Sequence, residues 1–212
     1  MTRVLIVEDQ KMAMENMVNY VESSKRYKLA GTLTNAAMAE IFCSSNPVDL
    51  ILMDVCTEFD ENGLDAAAVI KKRFPSIKII IVTSMVEVGY LERARNAGAE
   101  SFWYKDASSE ELLDVMDKTM AGESIYPEKT PEVKLGLASS YEFTEAELKV
   151  LRLLVEGLSY EEIGEKLGIK ATTVITHTNH MLDKTGYKNK LRLCIAVTNK
   201  KLIIPSSDEE FE

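Results

Sequence analysis

Over the first 121 residues, short apolar runs alternate with longer stretches in which apolar residues recur every three or four positions. The short runs are rich in valine and isoleucine and predict strands, whereas the longer stretches have the spacing of amphipathic helices. Strands separated by helical stretches of about 10–15 residues predict βαβ units and a parallel sheet. We expect strands at 4–7, 29–33, 50–54, 78–83 and 101–105, and helices at 12–24, 36–44, 64–73, 87–97 and 109–120.

The pattern changes after Ala121. Residues 122–141 have no long periodic apolar stretch and contain Pro127 and Pro131, which predicts a linker. Beyond it the apolar spacing is helical and the pieces are short, with further helices expected at about 172–185 and 189–200. Capping-box pairs and terminal glycines mark the ends of these helices: Thr144 with Glu147, Ser159 with Glu162, then Gly157, Gly168 and Gly186.

These patterns predict two domains and a tail. Residues 1–121 should form an α/β domain, doubly wound around a five-stranded parallel sheet as in flavodoxin-like folds. After the linker, residues 142–204 should form a small all-α domain that contains a helix-turn-helix. Residues 205–212 form a short acidic tail.

Composition favours a soluble protein of the cytoplasm. The hydrophobic fraction of 46% and the charged fraction of 28% are ordinary for globular chains. No apolar stretch approaches the roughly 20 residues that span a bilayer, and Glu8 and Asp9 interrupt the first apolar run too early for a secretory signal. The three scattered cysteines show no metal-ligand spacing, and we expect them to stay reduced.

Charge is unevenly distributed along the chain, whose net charge is -9. Residues 1–121 carry 13 lysines and arginines against 19 aspartates and glutamates, whereas Lys166 to Lys201 holds eight basic residues against Asp183 alone. A basic block in an acidic protein is a candidate phosphate-facing surface. From charge alone, a solvated helical face is the simpler explanation.

Chemically active side chains follow four of the predicted strands. Glu8 and Asp9 follow the first strand, Asp54 ends the third, Thr83 ends the fourth and Lys105 ends the fifth. Parallel strands present their carboxyl ends at one edge of the sheet, where open α/β folds bind ligands. Each charge could instead mark a solvated strand end, but agreement among four strand ends argues against that.

Three clustered carboxylates repel one another unless a cation neutralises them. Mg²⁺ fits such a cluster best, since it accepts one or two carboxylates and keeps waters for a phosphate-bearing ligand. Asp54 could then attack phosphorus to give an acyl phosphate. Lys105 would place a positive charge beside the phosphoryl oxygens, and Thr83 would donate a hydrogen bond to them.

With these residues in place, the chain resembles the NarL/FixJ (LuxR-type) two-component response regulators over nearly its whole length. The resemblance also rests on the segments Ala97-Gly98-Ala99, 105–113, 143–147, 157–159, 162–169 and 173–177, with Lys184 and Gly186 closing the pattern. It implies a receiver domain at 1–121, with Asp54 as phospho-acceptor, Thr83 and Phe102 as switch residues and Lys105 beside the phosphoryl group. Mg²⁺ would be held by Glu8, Asp9, Asp54 and the backbone carbonyl of Cys56.

The same resemblance implies a transcription factor rather than an enzyme. A sensor histidine kinase would phosphorylate Asp54, and the phosphorylated protein would form a homodimer on promoter DNA. The second helix of the helix-turn-helix would enter the major groove. The candidate DNA-binding residues are Lys170, Thr172, Thr176, His177, Asn179, His180, Lys184, Lys188 and Lys190.

The sequence departs from the family pattern in both domains. The loop after Asp54 lacks the usual proline, and its glycine, Gly63, comes one residue late. Ala146 and Ile175 replace an arginine and a lysine, which should lower DNA affinity. Lys170 stands where a serine usually caps the recognition helix, so we expect Thr172 to cap it instead.

Two other functions are compatible with parts of the pattern. A phosphatase with an aspartyl-phosphate intermediate would need a general acid two residues after Asp54. Cys56 stands at that position, which argues against this function. A response regulator that acts mainly through protein contacts, with weak or no DNA binding, would suit the losses at positions 146 and 175. Whatever the function, solubility is the simplest explanation of the acidic tail at 206–212, and the alternative is that the tail folds back on the basic helix and competes with DNA.

Overall fold

The computed structural model describes residues 1–87, 89–105 and 111–203, which form two compact units. The first unit comprises residues 1–84 and 89–129, and the second groups 130–203 with the short segment 85–87. The predicted tail at 205–212 and its fold-back lie outside the described residues. The boundary between the units falls inside the segment 122–141 for which the sequence predicts a linker.

The first unit alternates strands and helices. Its strands are β1 (Thr2–Val7), β2 (Tyr27–Leu33), β3 (Leu50–Met53), β4 (Lys78–Thr83) and β5 (Ser101–Tyr104). Its helices are α1 (Lys11–Ser23), α2 (Met38–Ser45), α3 (Gly63–Arg73), α4 (Tyr90–Asn96) and α5 (Leu112–Met120). Residues 109 and 110 of the predicted fifth helix lie outside the described residues.

All neighbouring strands of the first unit pair in parallel, in the order β2-β1-β3-β4-β5. This confirms the predicted doubly wound α/β fold. The last residues of β1 and β3 are register partners, Val7 with Met53, and Thr83 pairs with Tyr104. The carboxyl ends of the strands therefore lie at the same edge.

Both faces of the sheet are buried, as the nearly continuous apolar runs predict. Alternate strand residues such as Val4, Ile6, Ile80 and Val82 share one core with α1 and α5. The strand residues between them, such as Leu5, point to the opposite face and are also fully buried.

Helix α4 is shorter than predicted, because Gly89 has a positive φ of 99° immediately before it. A residue in the left-handed region cannot belong to a right-handed helix, so the helix begins at Tyr90 rather than at 87.

Up to residue 203, the second unit is a bundle of four helices preceded by a small hairpin. The hairpin strands are β6 (Lys134–Leu135) and β7 (Ala138–Ser139), and a 3₁₀ turn follows at Ser140–Glu142. The helices are α6 (Glu145–Val155), α7 (Tyr160–Leu167), α8 (Ala171–Thr185) and α9 (Lys190–Asn199). Helices α7 and α8, joined by a short turn, confirm the predicted helix-turn-helix.

Local signals in the second unit behave largely as the sequence predicts. Both capping boxes are present, with Thr144 accepting from the Glu147 backbone and Ser159 from the Glu162 backbone. One cap is wrong: α8 begins at Ala171, so Thr172 lies within its first turn and is not the cap. Lys170 takes the extended cap conformation instead, and its carbonyl accepts from the Thr173 backbone.

Among the described residues, no helix is both long enough and apolar enough to cross a membrane.

Candidate functional site

Three carboxylates meet at the carboxyl edge of the sheet. Glu8 and Asp9 follow β1, and Asp54 follows β3, the strand paired with β1. One oxygen from each carboxylate lies within 4.8 Å of the others. Glu8 is fully buried and Asp54 is 4% exposed, whereas Asp9 faces solvent. The structure thus brings together the three acids that the sequence places at separate strand ends.

Lys105 follows β5 and reaches into this cluster. Its Nζ lies 2.9 Å from Asp54 Oδ2 and also forms an ion pair with Glu8 Oε2. Its backbone N–H donates to the Thr83 carbonyl at 2.9 Å, which ties the ends of β4 and β5 together. The ammonium group is therefore fixed between two carboxylates rather than free in solvent.

Backbone groups orient Asp54. Its N–H donates to the Val7 carbonyl at 2.9 Å, and its Oδ1 accepts from the Val55 N–H at 2.7 Å. These bonds direct the second carboxylate oxygen, Oδ2, toward Lys105. The role of the Val55 N–H could not be found from side-chain chemistry, since a backbone donor leaves no signal in the sequence.

Burial and charge shift the proton affinities of the cluster. Burial, together with the Asp54 charge, raises the pKa of Glu8 to about 7, although Lys105 opposes the shift. Burial and the same charge also raise the pKa of Asp9. Burial alone would lower the pKa of Lys105, but the carboxylates of Asp54 and Glu8 outweigh it and raise that pKa. Lys105 supplies one positive charge to a cluster of three carboxylates, so the cluster keeps an excess of negative charge.

The donor set fits a hard divalent cation. Three carboxylates close enough to share one ion, one of them on the solvent side, match the oxygen ligands and retained waters that Mg²⁺ prefers. The predicted fourth ligand, the Cys56 carbonyl, belongs to the loop that follows Asp54, where Cys56 forms a backbone bridge with Asn62.

The predicted switch residues occupy buried positions on β4 and β5. Thr83 is fully buried at the end of β4. Phe102 is 1% exposed, and its ring centroid lies 4.8 Å from that of Tyr104. Phe102 pairs with Ile81, so it lies farther from the carboxyl edge than the acidic cluster does.

The loop after Asp54 is held by a set of hydrogen bonds that the sequence did not predict. The Thr57 hydroxyl accepts from the Ala36 N–H at 2.9 Å and donates to the Glu61 carbonyl at 2.8 Å. The Glu58 N–H donates to the Thr34 carbonyl, which clips the loop to the end of β2. The extra loop residue was the available signal, but its hydrogen bonds depend on tertiary neighbours.

Gly63 closes this loop against the backbone of Asp54. A Cβ at this residue would lie 1.8 Å from the Asp54 carbonyl oxygen, so no side chain fits there. The Gly63 N–H donates to the Val55 carbonyl at 2.8 Å. The late glycine is thus required by close backbone approach.

Helix α8 presents a polar face to solvent. Val174, Thr178, Met181 and Thr185 are buried in the unit, so the opposite side of the helix is free. Most of the predicted DNA-binding residues are exposed, on α8 or close to its ends in sequence: Lys170, Thr172, Thr176, Asn179, His180, Lys188 and Lys190. His177 is half-buried.

Lys184 is already engaged within the unit through its Nζ. It lies 2.8 and 2.7 Å from the two carboxylate oxygens of Glu147 and 2.9 Å from the Glu142 carbonyl. Glu147 is buried on α6, so this contact joins α8 to α6. Ile175, in contrast, is an apolar residue exposed on the polar face of α8.

The two compact units match two different protein families. Residues 4–117 match the response regulator receiver domain, and residues 142–197 match the bacterial regulatory proteins of the luxR family. The chain is 31% identical over 209 residues to the response regulator protein VraR of Staphylococcus aureus strain Mu3, with 95% of this chain and 98% of VraR covered.

Solved structures of RcsB from Salmonella share the fold. RcsB from Salmonella enterica serovar Typhimurium, bound to promoter P1flhDC in the presence of phosphomimetic BeF3-, superposes with a TM-score of 0.61 at 19% identity over 92% of this chain and 97% of RcsB. A structure of two RcsB dimers bound to two parallel DNAs gives a TM-score of 0.59 at 19% identity, over 93% of this chain and 98% of that chain. The two family matches and the full-length relative together show that the chain is a response regulator with a receiver domain and a LuxR-type DNA-binding domain.

Proposed function

We propose that this response regulator is switched by phosphorylation of Asp54, with a sensor histidine kinase as the phosphoryl donor. The observation that carries the proposal is the buried Asp54 carboxylate, 2.9 Å from Lys105 and within 4.8 Å of two further acids. Such an arrangement attracts a phosphoryl group only together with a cation, since the acids otherwise repel it.

Glu8, Asp9 and Asp54, with the Cys56 carbonyl, would hold Mg²⁺, which supplies positive charge to the phosphoryl oxygens. An Asp54 oxygen attacks the phosphorus of the phosphohistidine, the phosphorus–nitrogen bond breaks, and an acyl phosphate forms. Lys105 gives up part of its contact with Asp54 to bind a phosphoryl oxygen. The Thr83 hydroxyl donates to another oxygen, which draws the end of β4 inward and lets Phe102 follow.

The helical unit provides the output. Helix α8 would enter the major groove, where Asn179 and His180 would reach base edges. Lys170, Lys188 and Lys190 would bind phosphates on either side. Thr172, Thr176 and His177 complete this surface, and Lys184 supports it through Glu147.

A homodimer on promoter DNA in the cytoplasm fits these features. A protein that dimerises on DNA binds half-sites about 34–36 Å apart, or a multiple of that distance. Support comes from the solved structures of RcsB, which include dimers bound to DNA and a promoter complex. The match of 142–197 to a DNA-binding family favours this function over a regulator that acts mainly through protein contacts.

Intact-protein mass spectrometry with acetyl phosphate tests the phosphorylation step. The wild-type chain should gain the mass of one phosphoryl group with Mg²⁺ present and should not gain it with a chelator. Asp54→Asn should gain none, whereas the control Asp65→Asn, which changes an exposed carboxylate on α3, should behave like wild type. Equal phosphorylation of the Asp54→Asn protein would refute the proposal.

A further inference from the structure

The chain beyond α5 returns along the free edge of the sheet. Strand β5 is the last strand in the order, so among the residues that the structure describes no strand lies beside its outer edge. The Phe102 N–H donates to the Ile125 carbonyl at 2.8 Å, and the Ile125 N–H donates to the Ser101 hydroxyl at 3.1 Å. The Ser124 hydroxyl donates to the Glu100 carbonyl at 2.7 Å. We call residues 124–126 the β5 strap.

The side chains of the β5 strap alternate across the sheet as those of a strand do. Ile125 packs on the face that holds Trp103 and the core between the sheet, α1 and α5. Tyr126 lies on the opposite face, where its ring centroid is 6.2 Å from that of Phe102. The strap therefore contacts both faces of β5 at the level of Phe102.

Two further contacts hold Tyr126. Its hydroxyl donates to the Ala99 carbonyl before β5, at 2.9 Å. The Arg95 guanidinium of α4 lies 4.2 Å from the ring centroid, the geometry of a cation–π contact. Burial raises the pKa of Tyr126 to about 12, so the hydroxyl stays a donor at neutral pH.

Phe102 is thus linked to the strap twice, through its backbone N–H and through its ring. A change in the position of Phe102 must alter the packing of Tyr126, because close-packed interiors change between discrete arrangements rather than deform smoothly. The segment that follows Tyr126 leads, within four residues, to the start of the second unit at Thr130.

We propose that Tyr126 is a positioning residue that transmits the state of Phe102 to the segment joining the two domains. This inference rests on the proposed function, since it assumes that phosphorylation of Asp54 moves Phe102. The simpler alternative is that the β5 strap only covers an exposed strand edge. If the β5 strap only covers this edge, phosphorylation of Asp54 should leave the hydrogen exchange of the strap nearly unchanged in every variant.

Hydrogen exchange of the full chain, read by mass spectrometry with and without Mg²⁺ and acetyl phosphate, separates these alternatives. The amides of Phe102 and Ile125 report directly on the strap, because both form its hydrogen bonds. In wild type, phosphorylation should change the exchange of the peptides spanning 99–104 and 122–128 by about fivefold or more. The intact mass of each sample gives its degree of phosphorylation.

Two variants make the test specific. Tyr126→Ala should be phosphorylated to the wild-type extent but should lose the response of the 122–128 peptide. Tyr126→Phe keeps the ring against Phe102 and Arg95 and should retain the response. Exchange of β1 and β3 peptides in the unphosphorylated proteins checks that both variants are folded.

A phosphorylated wild-type chain with unchanged strap exchange would overturn the inference and leave the proposed function standing. A wild-type response in Tyr126→Ala would do the same. Absence of phosphorylation in wild type would overturn the proposed function and the inference with it.

Discussion

Glu8 is the residue on which the charge of the site depends most. It is fully buried, it contacts Lys105, and its pKa is raised to about 7 by burial and by the charge of Asp54. Near neutral pH it exchanges between the protonated and the charged form. Because only the charged form is a metal ligand, proton binding and Mg²⁺ binding would compete at this residue in the proposed magnesium site.

We therefore expect Mg²⁺ affinity to rise with pH through about 7, since the raised pKa means that the metal must displace a proton below that value. Isothermal titration calorimetry at several pH values between about 6 and 8 in buffers of different ionisation enthalpy measures both the affinity and the released proton. Glu8→Gln should bind Mg²⁺ more weakly and without this proton release. A wild-type affinity that stays constant over this range would contradict the assignment.

Lys184 carries a stability prediction rather than a pH prediction. Its contact with the buried Glu147 carboxylate joins α8 to α6, and its removal leaves that carboxylate without its cation. We expect Lys184→Met to lower the free energy of unfolding of the helical unit by about 2 kcal/mol. Urea unfolding of the full chain, followed by circular dichroism, measures the change.

The control for Lys184 is Lys188→Met, which removes an exposed cation from the same region. It should change stability by less than about 0.5 kcal/mol, because exposed charges contribute little. Equal effects of the two substitutions would show that the contact with Glu147 does not stabilise the unit.

Sequence reasoning at the residue scale worked for side chains and failed for tertiary contacts. Glu8, Asp9 and Asp54 follow apolar runs, and parallel strand order is enough to bring them to one edge. The pairing of Lys184 with Glu147 was not predicted, because it depends on how α6 packs against α8. The capping box with Thr144 already explained Glu147 from the sequence, so its second contact, with Lys184, was not expected.

At the element scale, the loop after Asp54 is the main departure from the family pattern. It is clipped to the end of β2 and closed by Gly63 against the Asp54 carbonyl. Phe59 in this loop has a positive φ of 59° and is 84% exposed. The position of the Asp54 backbone thus depends on the absence of a side chain at Gly63.

Gly63→Ala should displace the Asp54 carbonyl, because the added Cβ would lie 1.8 Å from that oxygen. We expect phosphorylation by acetyl phosphate to slow by about 100-fold, the cost of a misplacement near 1 Å. The rate is measured by intact mass over time. Val69→Ala, an exposed change on the same helix, should leave the rate unchanged, and a normal rate in folded Gly63→Ala protein would exclude this role.

Helix α8 is the second element with a functional departure, at the exposed Ile175. Ile175→Lys should restore one phosphate contact, which raises affinity for duplex DNA and steepens the slope of log K against log salt concentration by about 0.9. Fluorescence anisotropy with duplex DNA over a salt series measures this slope. A control substitution, Ile195→Lys, adds the same charge to α9, and an equal slope change there would mean that the effect is nonspecific.

The bounds of the strands could be predicted from the sequence. The five strands lie within two residues of their predicted bounds, because β1, β3 and β4 are nearly continuous apolar runs. The hairpin of β6 and β7 was not predicted, since strands of two residues carry no period. Helix α8 began earlier than the expected cap at Thr172 because backbone conformation at Lys170, rather than a capping side chain, sets its start.

On the scale of the whole molecule, charge separates the two functions. The acid surplus lies in the domain that we propose binds a cation, and the basic block from Lys166 to Lys201 lies in the domain that matches a DNA-binding family. Sequence patterning predicted both folds, because each domain buries its own periodic faces. How phosphorylation in one domain changes the other is a coupling free energy, which no periodic pattern encodes.

The ratio of DNA dissociation constants before and after phosphorylation tests the central claim most directly. Duplexes are first selected from a random-sequence pool on the phosphorylated protein, and binding is then measured by anisotropy with the phosphorylated fraction known from intact mass. We predict that wild type binds about tenfold more tightly when Asp54 is phosphorylated, and that Asp54→Asn shows no change with acetyl phosphate and Mg²⁺. Unchanged affinity of fully phosphorylated wild type, or the same gain in Asp54→Asn, would contradict a switch at Asp54.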